Sequence, residues 1–359
     1  MKQLFSSYIY ENPLPQLYAR NSAFPNVCVL ESEHLIAAHQ MGQAFESVDG
    51  TTYLSESLDG GRTWSAPRRA FSASESGRPM SDCAKITMLP DGRLVLFGYA
   101  FYRDDPNLPL ANIKTGGLLE NEVFYAISSD RGKTWTERRV IPTEWSGHTE
   151  ASAPIYVLQD GSWATPIAPF PKWDGTFPSR ECGRLLRSKD QGRTWDDGTV
   201  CMEFREEGVT CYEQRMCQMK NGMLVVIGWN ENLRDGQLLN NHITVSTDNG
   251  KTFSAPIDTN IRGQAAGILA LDDTHVLSLH ALRRDTDRPG IYACIADISN
   301  GNWNAECMEC IWEPQNTIIK SGKMADIFAF LKFGQPGGVL LHDGTLLMTH
   351  WVCEEGAYK

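Results

Sequence analysis

"SLDGGRTW" at residues 57–64 returns as "SSDRGKTW" at 128–135, "SKDQGRTW" at 188–195 and "STDNGKTF" at 246–253. The shared pattern is Ser-x-Asp-x-Gly-x-Thr followed by an aromatic residue. An Asp two positions before a Gly is turn chemistry: the carboxylate accepts from nearby backbone N–H groups, and Gly tolerates positive φ. Strand-like runs precede the octets, such as "VFYAIS" (123–128) and "NHITVS" (241–246), and short extended runs such as "WSAP" (64–67) follow them. Each octet therefore predicts a β-hairpin whose closing aromatic folds back onto its sheet. A hairpin written four times is scaffold, not catalysis.

A second repeat interleaves with the first. "LPDGRLVLFG" (89–98), "LQDGSWATPI" (158–167), "MKNGMLVVIG" (219–228), "LDDTHVLSLH" (271–280) and "LHDGTLLMTH" (341–350) each place a turn before an apolar strand, and "LESEHLIAAH" (30–39) is a degenerate copy. Their anchors are Glu33, Asp91, Asp160, Asn221, Asp272 and Asp343. The first four units lead into an octet, and the fifth carries a decayed one, "ADISNGNW" (296–303). Six units at spacings of about 50–70 residues, each with about four strands, predict an all-β six-bladed β-propeller. Residues 1–359 are read as one domain, with "SSYIYEN" (6–12) closing the last blade as a strand.

Composition narrows the partners. The net charge of −11 leaves no electrostatic footprint for nucleic acid or an anionic membrane. No run of about 18 apolar residues predicts a membrane span. The start, "MKQLFSSYIYENPLPQLYAR", lacks the pattern of an export signal, so a cytoplasmic location with reduced thiols is expected. The ten cysteines include one lone CxxC, "CMEC" (307–310), with no second pair and no nearby His. No metal site, nucleotide loop or cofactor is predicted.

The octet resembles the Asp-box, or BNR repeat, of the sialidase superfamily, and the six-unit layout is similar to that superfamily's six-bladed propeller. The resemblance implies that the Asp-boxes lie on the face away from the active site. It also implies that function gathers just before each anchor and again in the loop after the strand that follows it. The first windows hold "AFPN" (23–26), "SDCAK" (81–85), "HTEASA" (148–153), "YEQR" (212–215), "RGQAA" (262–266) and "FGQPG" (333–337). The second windows carry His39, Trp229, His280, Arg284 and His350 among further polar and aromatic residues. Polar groups and aromatics around one concave mouth suit an oligosaccharide substrate.

True sialidases grip the sialic carboxylate with three arginines and use a Tyr nucleophile paired with a Glu. Here Ala23 stands where the first arginine is expected, Gln335 near the tyrosine position, and "GWNE" (228–231) lacks another arginine. Glu213 does match the family's Glu, and Arg283, Arg284 or Arg288 fits the third arginine. The resemblance therefore implies an exo-acting glycoside hydrolase for a small oligosaccharide whose sugar is not sialic acid. Glycosidases need one carboxyl as acid and another as nucleophile or base. Glu213 is the candidate nucleophile or base, because Arg215 shares its face of the strand and favours the ionised form. Asp82, preceded by "SESGRPMS" (74–81) read as flexible, and Glu150 are candidate proton donors. Arg215, Trp229, Gln264, His280, Arg284, Gln335 and His350 are the candidate sugar-binding residues. Two other readings stand beside this one. A uronate-directed lyase would use a histidine base such as His39, and a carbohydrate-binding propeller would have no activity.

Overall fold

The computed structural model describes residues 1–71, 77–315 and 332–359, so the first residues of the 74–81 stretch lie outside the described residues. Among those described, every regular element is a β-strand, arranged as a ring of six antiparallel blades. The inner strands of blades 1 to 6 are Asn21–Glu31, Met80–Met88, Tyr156–Val157, Tyr212–Gln218, Ala266–Ala270 and Phe333–Leu340. Each leads through one of the six anchor turns into a second strand, and the remaining strands follow outward in chain order. Thr149–Glu150 adds a short strand on the upper end of Trp163–Pro169 in blade 3.

Blades are sandwiched between neighbours, so their middle strands are buried on both faces and read as continuous apolar runs. Leu94–Tyr102, "LVLFGYAFY", is the clearest case. Phe97, Tyr125, Trp163, Ile167 and Leu186 form one core between blades 2 and 3. Burying a side chain such as Phe97 contributes about 2–3 kcal/mol.

The octets show why one motif is repeated. Ser57 Oγ donates to Asp59 Oδ1 at 2.8 Å, while Asp59 accepts from the Thr63 amide at 2.9 Å and the Thr63 hydroxyl at 2.6 Å. The same bonds recur around Asp130, Asp190 and Asp248. Each octet then presents a positive-φ glycine to the preceding blade. Gly192 of blade 3 lies against Tyr125 of blade 2, where a Cβ would come within 3.0 Å of the ring. Gly132 and Gly250 pack likewise against Ile36 and Leu185, and Gly61 against Leu347 of blade 6. The octet is a clasp between consecutive blades.

The N-terminal segment differs from expectation. Residues 6–12 form no strand; the third strand of blade 6 is Ala357–Tyr358. The segment instead lies across the junction of blades 6 and 1, where Tyr8 Oη donates to Glu354 at 2.6 Å and Lys359 Nζ donates to Glu11 at 2.7 Å. Ile9 packs with Val27, Leu35 and Trp64.

Candidate active site

Three inner strands carry a bulge near their upper ends, where the pairing register slips at Ala23/Asn26, Tyr212/Arg215 and Gly334/Gly337. Each bulge holds one non-glycine residue at positive φ: Phe24 at 56°, Glu213 at 42° and Gln335 at 51°. A bulge re-aims a side chain that regular alternation would send elsewhere. Here the bulged strands bring blades 1, 4 and 6 together at the axis.

Glu213 accepts from Gln335 Nε2 at 2.7 Å on one oxygen and from Trp229 Nε1 at 2.9 Å on the other. Gln335 Oε1 in turn accepts from Lys85 Nζ at 2.9 Å, and Lys85 also donates to the Phe24 carbonyl at 2.7 Å. Burial lowers the Lys85 ammonium to about 8, opposed by Glu213 and Glu150 and reinforced by Arg215. Arg215 donates through Nη1 to Ser152 Oγ at 3.1 Å and to the Gln214 carbonyl at 2.8 Å.

Glu150 is 2% exposed. Its Oε1 accepts from the Ser152 amide at 2.9 Å, and its buried Oε2 has no partner among the described residues. Burial raises its carboxyl to about 7; the Ser152 bond and Arg215 pull it down, and Glu213 pushes it up. Tyr99, raised well above its usual value by burial, faces Glu150, Glu213 and Arg215. From blade 5, Arg283 donates to the Phe333 carbonyl at 2.6 Å, contacts Gln264 Oε1 at 3.5 Å, and lies over the Trp351 ring. Burial lowers its guanidinium to about 10.

Two aromatic arcs flank this centre. Tyr99, Phe170, Tyr212 and Trp229 run in consecutive contact across blades 2 to 4. Phe24, Phe45, Trp351 and Tyr358 cluster where blade 6 meets blade 1. The arrangement offers a ring of donors, two carboxyls and apolar walls, which together suit a sugar.

Of the sequence candidates, the structure brings Glu213, Glu150, Arg215, Trp229, Gln264 and Gln335 around one centre. Other candidates are elsewhere. Asp82 points from its strand toward blade 1, where Thr51, Thr52 and Arg138 surround it. His39 is enclosed within blade 1 between Ser22 Oγ at 2.9 Å and Ser55 Oγ at 3.1 Å, and burial lowers it to about 3. His280 is held by Asn241 at 2.7 Å and Ser278 at 2.8 Å, and is also lowered to about 3. Arg284, fully buried, pairs with Glu231 at 2.7 Å. His350 packs edge-on against Trp312, and burial lowers it to about 4. Strand alternation turns Asp82, His39, His280 and His350 into or between blades rather than to the mouth, while Arg284 lies just beyond the strand His275–Leu282.

Lys85 is the residue that sequence reasoning passed over. Its signal was a single cation inside the otherwise uncharged stretch "CAKITM" (83–88). Arg283, one of three arginines open for one role, reaches the centre where Arg284 does not.

The family model of the BNR repeat-like domain matches residues 33–306. No curated protein matches the chain. Among solved structures, a protein of unknown function from Dyadobacter fermentans superposes with a TM-score of 0.69 at 22% identity, covering 95% of this chain and 94% of that one. A Hadza microbial sialidase gives 0.61 at 17% identity over 82% of this chain and 59% of its own, so the chain spans about three-fifths of that enzyme. An α-L-arabinanase from Penicillium chrysogenum, complexed with arabinobiose, gives 0.60 at 12% identity over 93% and 89%. At these identities the likeness is one of fold.

Proposed function

The chain belongs to the BNR repeat-like domain family, and from that premise we propose that it is an exo-acting glycoside hydrolase, with Glu150 as proton donor and Glu213 as nucleophile or base. The observation that carries the reading is the pairing of unlike carboxyls. Glu150 is buried, raised to about 7 and keeps one oxygen without a partner among the described residues. Glu213 accepts on both oxygens, as an ionised carboxylate does. A glycosidic oxygen leaving as an alcohol needs a proton from the first, while the anomeric carbon needs the second or a water it activates.

Lys85, Arg215 and Arg283 add positive charge around Glu213, and the aromatic arcs match the C–H faces of sugar rings. Lys85, Gln335 and Glu213 bridge the axis, so a glycan would enter end-on and lose its terminal residue. Ala23 and Gln335 stand where a sialidase would carry an arginine and a tyrosine, which supports a sugar other than sialic acid. The histidine-base lyase loses its support, because His39 and His280 are enclosed and His350 packs against Trp312. A silent carbohydrate-binding propeller keeps one argument: both Glu213 oxygens are already engaged by the protein.

The deciding experiment is incubation with a panel of neutral, uronate-bearing and sialylated oligosaccharides, followed by mass and ultraviolet absorbance. Products that gain one water, lost in Glu213→Gln and Glu150→Gln, are expected. Glycan binding without turnover would leave the binding module, and an absorbing unsaturated uronate would replace hydrolysis with elimination.

A further inference from the structure

The buried ammonium of Lys85 connects all three bulged strands. Lys85 Nζ donates to the carbonyl of Phe24 in blade 1 and to the side chain of Gln335 in blade 6, whose amide donates to Glu213 in blade 4. Phe24, Gln335 and Glu213 are the three positive-φ residues of those bulges. Non-glycine residues in this region are strained and persist only where surrounding structure enforces them. Their convergence on one lysine marks it as more than packing.

We propose that Lys85 is a positioning residue for Glu213, acting through the side-chain amide of Gln335. A carboxamide can present either its oxygen or its NH2, and the two ends are nearly equal in shape. An ammonium only donates, so Lys85 selects the oxygen of Gln335. The NH2 is thereby left for Glu213, which as a carboxylate only accepts. The hydrogen bonds run in one direction, from blade 2 through blade 6 to blade 4. If the ammonium is lost, the amide is free to turn its oxygen toward Glu213, and the carboxylate loses both a donor and its orientation.

The charged and titratable groups around Lys85 are Cys83 on its own strand, Arg215 and Glu213 from blade 4, and Glu150 from blade 3. The Phe24 ring lies 5.8 Å from the ammonium. Burial is what lowers Lys85 to about 8, so below that pH the ammonium only donates, and as pH rises through it the neutral amine can also accept and the selection of the Gln335 oxygen is relaxed. The inference rests on Glu213 being the working carboxylate, but the relay can be read without any substrate.

The test uses the whole chain labelled with 15N in glutamine side chains, with the Gln335 signals identified by their loss in Gln335→Leu. In the unmodified protein the Gln335 NH2 resonances are expected to titrate with a midpoint near 8. Lys85→Met should abolish that titration, and Lys85→Arg, which keeps a cation, should hold the low-pH position throughout. Absence of titration in the unmodified protein, or its persistence in Lys85→Met, overturns the proposal. Should Lys85→Met fail to fold, an unchanged midpoint in Lys85→Arg overturns it equally. Failure of every glycan to turn over would sink the hydrolase reading and leave these resonances unaffected. Where turnover is found, Lys85→Met should lower kcat about 100-fold, as loss of alignment does, with KM changed less than kcat and partial recovery in Lys85→Arg.

Discussion

Arg138 Nη2 donates to Asp82 Oδ2 at 2.7 Å and completes a set of four donors around one buried carboxylate. The other three are the Thr51 hydroxyl at 2.6 Å, the Thr52 hydroxyl at 2.6 Å and the Thr52 amide at 2.9 Å. A carboxylate has about four acceptor sites, so Asp82 has no capacity left for substrate. Its work is to join blade 1 to blade 2.

Asp82→Ala should therefore be a stability variant. It leaves the part-buried Arg138 without its partner and the buried Thr51 and Thr52 donors unsatisfied, a change that costs about 1–3 kcal/mol. Urea unfolding should show a lower midpoint with an unchanged slope, while turnover per folded molecule stays as before. Loss of turnover in a protein of normal stability would return Asp82 to the mechanism.

The Asp-boxes predict the acid limb of stability. Hydrogen bonds from Thr63 hold Asp59 at about 2, and those from Thr194 hold Asp190 at about 2, against an ordinary value of 3.8. Asp130 and Asp248 are lowered in the same way. Because the folded values lie below the unfolded one, this stabilisation is complete above about pH 4 and is lost as pH falls toward 2. Fluorescence-monitored unfolding should show a cooperative transition in that window. Asp59→Asn should start less stable at neutral pH and lose less on acidification; an unaltered acid dependence would refute the clasp.

The enclosed histidines act at milder pH. His39 and His280 stay neutral in the fold down to about 3, and His350 down to about 4, whereas the unfolded chain protonates near 6.5. Stability from these sites is full above 6.5 and is lost as pH falls through that interval. His39→Gln should reduce the slope of unfolding free energy against pH between about 6 and 4 and leave turnover unchanged. A variant that folded normally but released no product would instead revive a histidine base.

These outcomes separate what the chain shows locally from what it does not. The octets were legible because every partner of Asp59 lies within four residues of it, so the motif carries its own hydrogen bonds. The anchors were legible for the same reason. Destinations of the strand-end side chains were not. His39 and His280 recur at matching strand positions, which suggests shared function, but the recurrence reflects a shared packing slot, lined by two serine hydroxyls at His39 and by an amide and a hydroxyl at His280. Asp82 and Lys85 stand three residues apart in one window, and alternation sends the first toward blade 1 and the second to the axis. Glu213 and Gln335 reach each other only because both strands bulge, and a bulge has no signature in either segment. The separation in sequence, 122 residues, lies beyond any local pattern.

Glu150 gives the sharpest test of the chemistry. Its folded value, about 7 against an ordinary 4.5, means that the native state holds this proton more tightly than the unfolded chain. Stability from this group is therefore present below 4.5 and lost as pH rises through 7, opposite in sign to the histidines. Glu150→Gln should remove that contribution, and its thermal midpoint should gain on the unmodified protein as pH rises from about 4.5 to about 7. As proton donor Glu150 works only while protonated, so turnover of an alkyl glycoside should fall above about pH 7. Glu150→Gln should lower that rate by about 10²–10⁴-fold. An aryl glycoside whose leaving group needs no proton should lose far less, and should lack the alkaline fall. Equal losses on both substrates would show that Glu150 shapes the mouth without giving up its proton, and the acid would then have to be sought in Tyr99.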